Sequence, residues 1–162
     1  MNDLETLITR LSAASLRVVL AESCTAGLGA DLVARVPGAS RVLWGAYIAY
    51  TVEAKIAMLG LEEDLIRRYG AVSRETACAM AQAALNRSGV DIAVAVTGLA
   101  GPEGDGTAVP VGTVWIATVL QGSEATARVF HYTGSRQAVR VAAAEDLIRE
   151  LLRQLPVSAE VG

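Results

Sequence analysis

Histidine is nearly missing from these 162 residues: His131 stands alone, and cysteine is limited to Cys24 and Cys78. One imidazole and two thiols far apart in the chain supply no zinc ligand set, so no metal is expected. Aromatic residues are scarce too, at 4%, which argues against a base-stacking surface for single-stranded nucleic acid. There is no run of basic residues, and the formal net charge is -3, so the chain does not read as a binder of phosphate backbones. The longest apolar stretch, Val90 to Ala100, contains Asp91 and falls well short of the roughly 20 residues that a membrane span needs. Met1 to Arg10 include two acids, and no apolar core or small-residue cleavage site follows, so no secretory signal is read there. The expectation is a cytoplasmic, metal-free protein with neither a nucleic-acid nor a membrane partner.

What the chain does have is aliphatic mass. Hydrophobic residues make up 52% and charged residues 19%, a composition that builds a globular core without staples. Leu4, Leu7, Ile8 and Leu11 recur at helical spacing behind an Asn2/Glu5 capping pair. Arg17 to Ala21 reads as a first strand, and Ala26 to Val36 as a helix stopped by Pro37-Gly38. Val42 to Tyr50 is a second strand, followed by short helices at Val52 to Met58 and Glu62 to Tyr69. Ser73 caps a longer helix to Asn86, and Asp91 to Thr97 has the continuous apolar character of a strand buried on both faces. A glycine-rich loop (Gly98, Gly101, Gly104, Gly106, Gly112) then leads to Thr113 to Leu120 and Ala125 to Tyr132, two strands joined by a Gln121-Gly122 turn. Ser135 caps a last helix to about Leu155. The order predicts one α/β domain, a mixed sheet with helices on both faces, over residues 1–156, and a loose tail at 157–162.

Three segments fall where strand ends meet helix starts, the usual ligand position in such sheets: Glu22 to Gly27, Thr97 to Gly112, and Tyr132 to Arg140. Ser23 and Thr25 in the first serve either as helix caps or, for Ser23, as a nucleophile whose oxyanion is held by free N–H groups. Cys24 is a rival nucleophile, although strand alternation points it away from Ser23 and a small buried cysteine is the commoner role. Of the 14 lysines and arginines only Lys55 is lysine. It is either a surface lysine or the one amine able to give up a proton, which arginine cannot do. Bringing it from about 10.4 to about 7–8 takes roughly 4 kcal/mol of burial or neighbouring charge. Tyr50, at the end of the second strand, either packs there or relays the proton. The glycine loop is either a surface hairpin or a cradle of N–H groups for an anion; no Gly-Lys-Ser/Thr follows it, so it is no Walker loop. Arg136 and Arg140, one turn apart at a helix start, oppose the helix dipole. They suit either a partner acid or a bound anion. His131 reads as a strand residue.

Taken together, AESCTAG (21–27), AYTVEAK (49–55), GAVSRETACAMA (70–81), VTGLAGPEGDGT (96–107), PVGTVWIA (110–117) and the Gly134, Arg136, Arg140 group resemble the CinA C-terminal-domain family. Standalone members of that family include nicotinamide-mononucleotide deamidases. The resemblance implies a three-layer α/β/α sandwich with a mixed, mostly parallel sheet of five or six strands, and a homodimer. It implies hydrolysis of the carboxamide of nicotinamide mononucleotide, a pyridine nucleotide, to nicotinate mononucleotide and ammonia without a cofactor. By that likeness Ser23 is the nucleophile, with Lys55 and Tyr50 as activating partners. Thr25, Gly98, Ala100, Gly101, Thr107, Arg136 and Arg140 would hold the substrate. The chain departs from the family pattern at Thr51 and Val52, and at Val109, where a lysine is frequent. Val52 and Val109 favour the alternative of an inactive nucleotide-binding module acting as sensor or partner subunit.

Overall fold

A computed structural model of the protein describes residues 2–156, and the tail read at 157–162 lies outside them. Asn2 and Glu5 form the expected reciprocal capping box, with Asn2 Oδ1 accepting from the Glu5 N–H at 2.9 Å, and so begin α1 (Asp3–Ala13). The chain continues through β1 (Val18–Glu22), α2 (Leu28–Ala34), α3 (Ala39–Val42), β2 (Leu43–Ile48), α4 (Val52–Leu59) and α5 (Glu63–Tyr69). It ends with α6 (Arg74–Ser88), β3 (Ile92–Gly98), β4 (Thr113–Leu120), β5 (Thr126–His131) and α7 (Arg136–Gln154). Hydroxyl caps set three of these helix starts: Thr51 for α4, Ser73 for α6 and Ser135 for α7, each accepting from the N–H three residues on.

The five strands lie in the order β2-β1-β3-β4-β5. β1 pairs in parallel with β2 and β3, while β3/β4 and β4/β5 are antiparallel. The alternation along the central strands divides the core in two. Val18 and Leu20 with Ile92, Val94 and Val96 pack under α1, α2, α3 and α7. Val19, Ala21, Ala93 and Ala95 pack under α4, α5 and α6, where Ala77, Ala81 and Ala84 let α6 come close to the sheet. The result is the expected three-layer α/β/α sandwich with five strands.

Most element boundaries fall within a residue or two of the sequence reading, and two of the differences bear on the site. The first turn after β1 does not become helix until Leu28, because Ala26 (φ 49°) and Gly27 (φ 99°) are left-handed. The single turn α3 stands where a strand was expected to begin, so β2 starts one residue later, at Leu43.

β2 and β3 flank β1 on opposite sides, so the chain switches direction of travel across the sheet at β1. The C-terminal ends of all three parallel strands therefore open one crevice at the switch point. The start of β4 and the approach to α7 lie at the same edge of the sheet, since β4 runs opposite to β3 and β5 runs opposite to β4.

Candidate active site

Ser23 follows the last residue of β1, and its N–H is anchored to Val96 O of the neighbouring β3 at 3.0 Å. Its Oγ accepts a hydrogen bond from Lys55 Nζ at 2.9 Å and donates to Tyr50 O at 3.1 Å. Lys55 reaches this point from α4. It is 2% exposed and also contacts the carbonyls of Ala49 (3.3 Å) and Tyr50 (3.4 Å). All three partners of the amine are thus neutral, and among the described residues no carboxylate bonds to it. Burial pushes the Lys55 ammonium down from 10.5 to about 8, with Cys24 pulling the other way. At that value roughly a tenth of the amine is unprotonated at pH 7 and half of it at about pH 8, and that fraction can accept the Ser23 proton along a contact already formed.

An open cleft of about 180 Å³ lies over the pair. Ser23, Cys24 and Tyr50 line it together with the 98–101 segment, Glu103 to Asp105 and Arg136. Its volume is below the roughly 300–1,000 Å³ of a whole small-molecule pocket, enough for the reacting end of a larger ligand. Gly98 is required by close approach: a Cβ there would fall 2.6 Å from Val114 Cγ2 and 2.9 Å from Thr113 O. The N–H groups of Cys24, Ala100 and Gly101 have no backbone acceptor among the described residues, and all three residues line the cleft. Free main-chain donors beside a nucleophile are what a developing oxyanion needs.

The fold brings Ser23, Lys55, Gly98, Ala100, Gly101 and Arg136 together at this end of the sheet, and four other residues named from the sequence stand as follows. Tyr50 meets Ser23 and Lys55 through its main-chain carbonyl, whereas its phenol oxygen accepts from Arg136 Nη2 at 2.5 Å. Thr25 is fully buried and donates its hydroxyl to Glu22 at 2.6 Å, so this hydroxyl does not face the cleft. Thr107 folds back on Asp105, bonding it through both Oγ1 (2.5 Å) and N–H (3.0 Å), and lies outside the cleft wall. Arg140 turns to the backbone, donating to Cys24 O (2.9 Å) and Thr25 O (3.0 Å). Arg136 also serves carbonyl and hydroxyl partners, Gly101 O at 2.7 Å and the Tyr50 phenol. The arginines therefore have neutral acceptors, an answer the sequence reading did not include.

Cys24 lines the cleft as a buried thiol. Burial pushes it up from 9.0 to about 11, against the pull of the Lys55 charge. That makes it a weak nucleophile beside a serine already bonded to an amine. His131 is a β5 residue, 3.5 Å from Thr113 Oγ1. Among the described residues no three of His, Cys, Asp and Glu converge on a metal-sized site, and no helix is long and apolar enough to cross a membrane. The reading by residue type missed Glu22, Glu103 and Asp105. Glu22 carried a signal: an acid closing an otherwise apolar strand, directly before the candidate nucleophile.

Residues 2–155 match the family model of the CinA C-terminal domain. A CinA-like protein of Akkermansia muciniphila is 41% identical over 155 residues, covering 94% of this chain and 37% of that protein. A CinA-like protein of Mycobacterium tuberculosis is 42% identical over 145 residues, covering 88% of this chain and 34% of the relative. The chain thus spans about a third of the length of these curated relatives. Among solved structures, a competence-damaged protein (CinA) superfamily protein from Escherichia coli superposes with a TM-score of 0.91 at 33% identity, over 95% of this chain and 89% of that one. A competence/damage inducible protein from Agrobacterium tumefaciens gives 0.88 at 37% identity, over 94% and 96%.

Proposed function

The chain belongs to the CinA C-terminal-domain family, and on that premise we propose that it is a nicotinamide-nucleotide amidohydrolase working through serine and lysine. The observation that carries this reading is the 2.9 Å contact between Ser23 Oγ and a Lys55 amine that is buried among neutral partners. Ser23 attacks the carboxamide carbon while Lys55 takes its proton. The tetrahedral oxyanion is met by the free N–H groups beside the cleft. Collapse breaks the carbon–nitrogen bond, and Lys55 returns the proton to the departing nitrogen, which leaves as ammonia. A water molecule then adds to the acyl ester, giving its proton to Lys55, and the pyridine carboxylate departs as Ser23 is reprotonated. The substrate is a pyridine nucleotide, with pyridine-nucleotide salvage in the cytoplasm as the setting and a homodimer as the working form.

The departures from the family pattern do not touch this chemistry. Thr51 caps the helix that carries Lys55 through a 3.0 Å bond to Ala54 N–H. Val52 is 40% exposed on that helix, and Val109 does not line the cleft.

The test is ammonia release from nicotinamide mononucleotide, nicotinamide riboside and nicotinamide. Turnover of the nucleotide is expected, undiminished by EDTA, and Ser23→Ala and Lys55→Ala should each cost several orders of magnitude in kcat. Their combination should be scarcely worse than either alone. Binding of the nucleotide without ammonia release would identify a binding module instead.

A further inference from the structure

Glu22, immediately before Ser23, is fully buried and takes no part in the steps above. We propose that Glu22 and Arg140 are positioning residues for the Ser23 nucleophile, clamping the turn that carries it, one by its N–H groups and the other by its carbonyls. The proposal rests on the serine–lysine reading and adds to it the machinery that holds the serine in place.

A carboxylate buried in a core is costly unless its lone pairs are filled. Here Glu22 Oε2 accepts from the Thr25 hydroxyl (2.6 Å), Gly27 N–H (2.9 Å) and Gly29 N–H (3.1 Å), and Oε1 accepts from Ala30 N–H (2.8 Å). Gly29 makes room for it, since a Cβ there would lie 3.0 Å from Oε1 and 3.1 Å from Leu20 Cδ2. Arg140 takes the carbonyls of Cys24 and Thr25 from α7. A peptide plane held at its carbonyl has its N–H direction fixed as well, so Arg140 sets the Cys24–Thr25 and Thr25–Ala26 planes and Glu22 the Ala26–Gly27 plane. The Ser23 carbonyl is tied to the same turn by the Ala26 N–H at 3.0 Å. They hold the turn through Ala26, which sits at φ 49°, a conformation unfavourable to any residue with a Cβ.

The placement of the charge matters as much as its grip. Glu22 continues the β1 face of Val18 and Leu20, which packs under α2 and α7, whereas Lys55 comes from α4, which packs on the other face. Among the described residues the carboxylate has no hydrogen bond to Lys55. An acid in contact with that amine would hold it protonated. Glu22 therefore fixes the nucleophile without disabling its base.

The test measures the labelling rate of Ser23 with an alkyl fluorophosphonate, read on the intact protein by mass spectrometry and mapped to the peptide. In that reaction Ser23 Oγ bonds to phosphorus, fluoride leaves, and the serine proton passes to Lys55, so no assumption about the natural substrate enters. Wild-type protein is expected to label at Ser23, with a rate that rises with pH as Lys55 loses its proton. Glu22→Gln and Arg140→Ala should each label at least about ten-fold more slowly, as expected for a misplaced nucleophile. The pH midpoint should stay at the wild-type value. Arg140→Lys, which can still reach a carbonyl, should recover part of the rate. A role confined to stability would lower the melting temperature and leave labelling unchanged, which overturns the proposal. A shifted midpoint would also overturn it, because the pair would then act on the charge of Lys55. Should Glu22→Gln fail to fold, Arg140→Ala decides by the same criteria. Wild-type protein that does not label at Ser23 would sink the serine–lysine reading and the clamp with it, whereas equal labelling of wild type and variants sinks the clamp alone.

Discussion

A lysine that is 2% exposed, with one hydroxyl and two carbonyls for company, destabilises the fold that holds it. The size of the effect follows from linkage. Burial lowers the folded-state value from 10.5 to about 8, so between those limits the unfolded chain binds more protons than the folded one. Stability therefore rises with pH across that window, and below it the full destabilisation, roughly 3 kcal/mol, is present. Lys55→Met is expected to raise the melting temperature by several degrees at pH 7, and the gain should shrink when the melt is repeated near pH 10. Equal gains at both values would mean that packing, not charge, limits stability at this position. Lys55→Arg, which keeps a charge that cannot be removed near neutral pH, should be as inactive in the ammonia assay as Lys55→Ala. Activity of the wild type should climb through a midpoint near 8, in line with the lowered amine. Cys24 is held protonated in that range by burial, so Cys24→Ala should keep its turnover within about ten-fold.

At the scale of elements, the first turns of α7 explain why two arginines stand at a helix start. Their partners are neutral: Gly101 O and Tyr50 Oη for Arg136, and Cys24 O, Thr25 O and the Gln137 side-chain amide oxygen for Arg140. They tie α7 to the glycine loop, to the end of β2 and to the turn after β1. The sequence made the need for acceptors legible, because cations there oppose the dipole. It could not name the acceptors, since every residue carries a carbonyl and none is marked by type. The same blindness separates Tyr50 as expected from Tyr50 as found. Its position beside Ser23 and Lys55 was readable from the end of the strand, but which of its two oxygens faces them was not. Tyr50→Phe is accordingly expected to leave kcat within about ten-fold of wild type, because the carbonyl stays in place. Arg136→Ala should be the more damaging change, raising KM by loosening Gly101 at the cleft. A Tyr50→Phe enzyme as inactive as Lys55→Ala would restore the phenol to the proton path.

On the scale of the whole molecule, periodicity carried the reading furthest. The Asn2/Glu5 capping box, the strand buried on both faces and the Gln121-Gly122 hairpin stand as the pattern of residues implied. Strand order was beyond it, because pairing partners are set by long-range packing that leaves no mark in a single chain. That order puts β2 and β5 at the two edges of the sheet, and the edges are unlike. β5 carries Arg128, whose guanidinium pairs with the buried Glu150. β2 has no charged residue at all, and it presents Trp44, 41% exposed and stacked on Tyr47, and Ile48, 37% exposed. Tyr50, Val52 and Met58, in the chain that follows, are exposed as well. An uncharged edge with exposed large side chains is one that natural sheets otherwise protect. We therefore expect two copies of the chain to associate along β2. Sedimentation at tens of micromolar should give the mass of two chains for wild type, and Trp44→Glu should give the mass of one. Val129→Glu, an exposed residue on the opposite edge, should leave the dimer intact. Because Tyr50 lies only two residues beyond β2, the Trp44→Glu monomer should also lose activity in the ammonia assay. A wild-type protein that sediments as a single chain, or a dimer broken by Val129→Glu and not by Trp44→Glu, would rule out β2 as the interface.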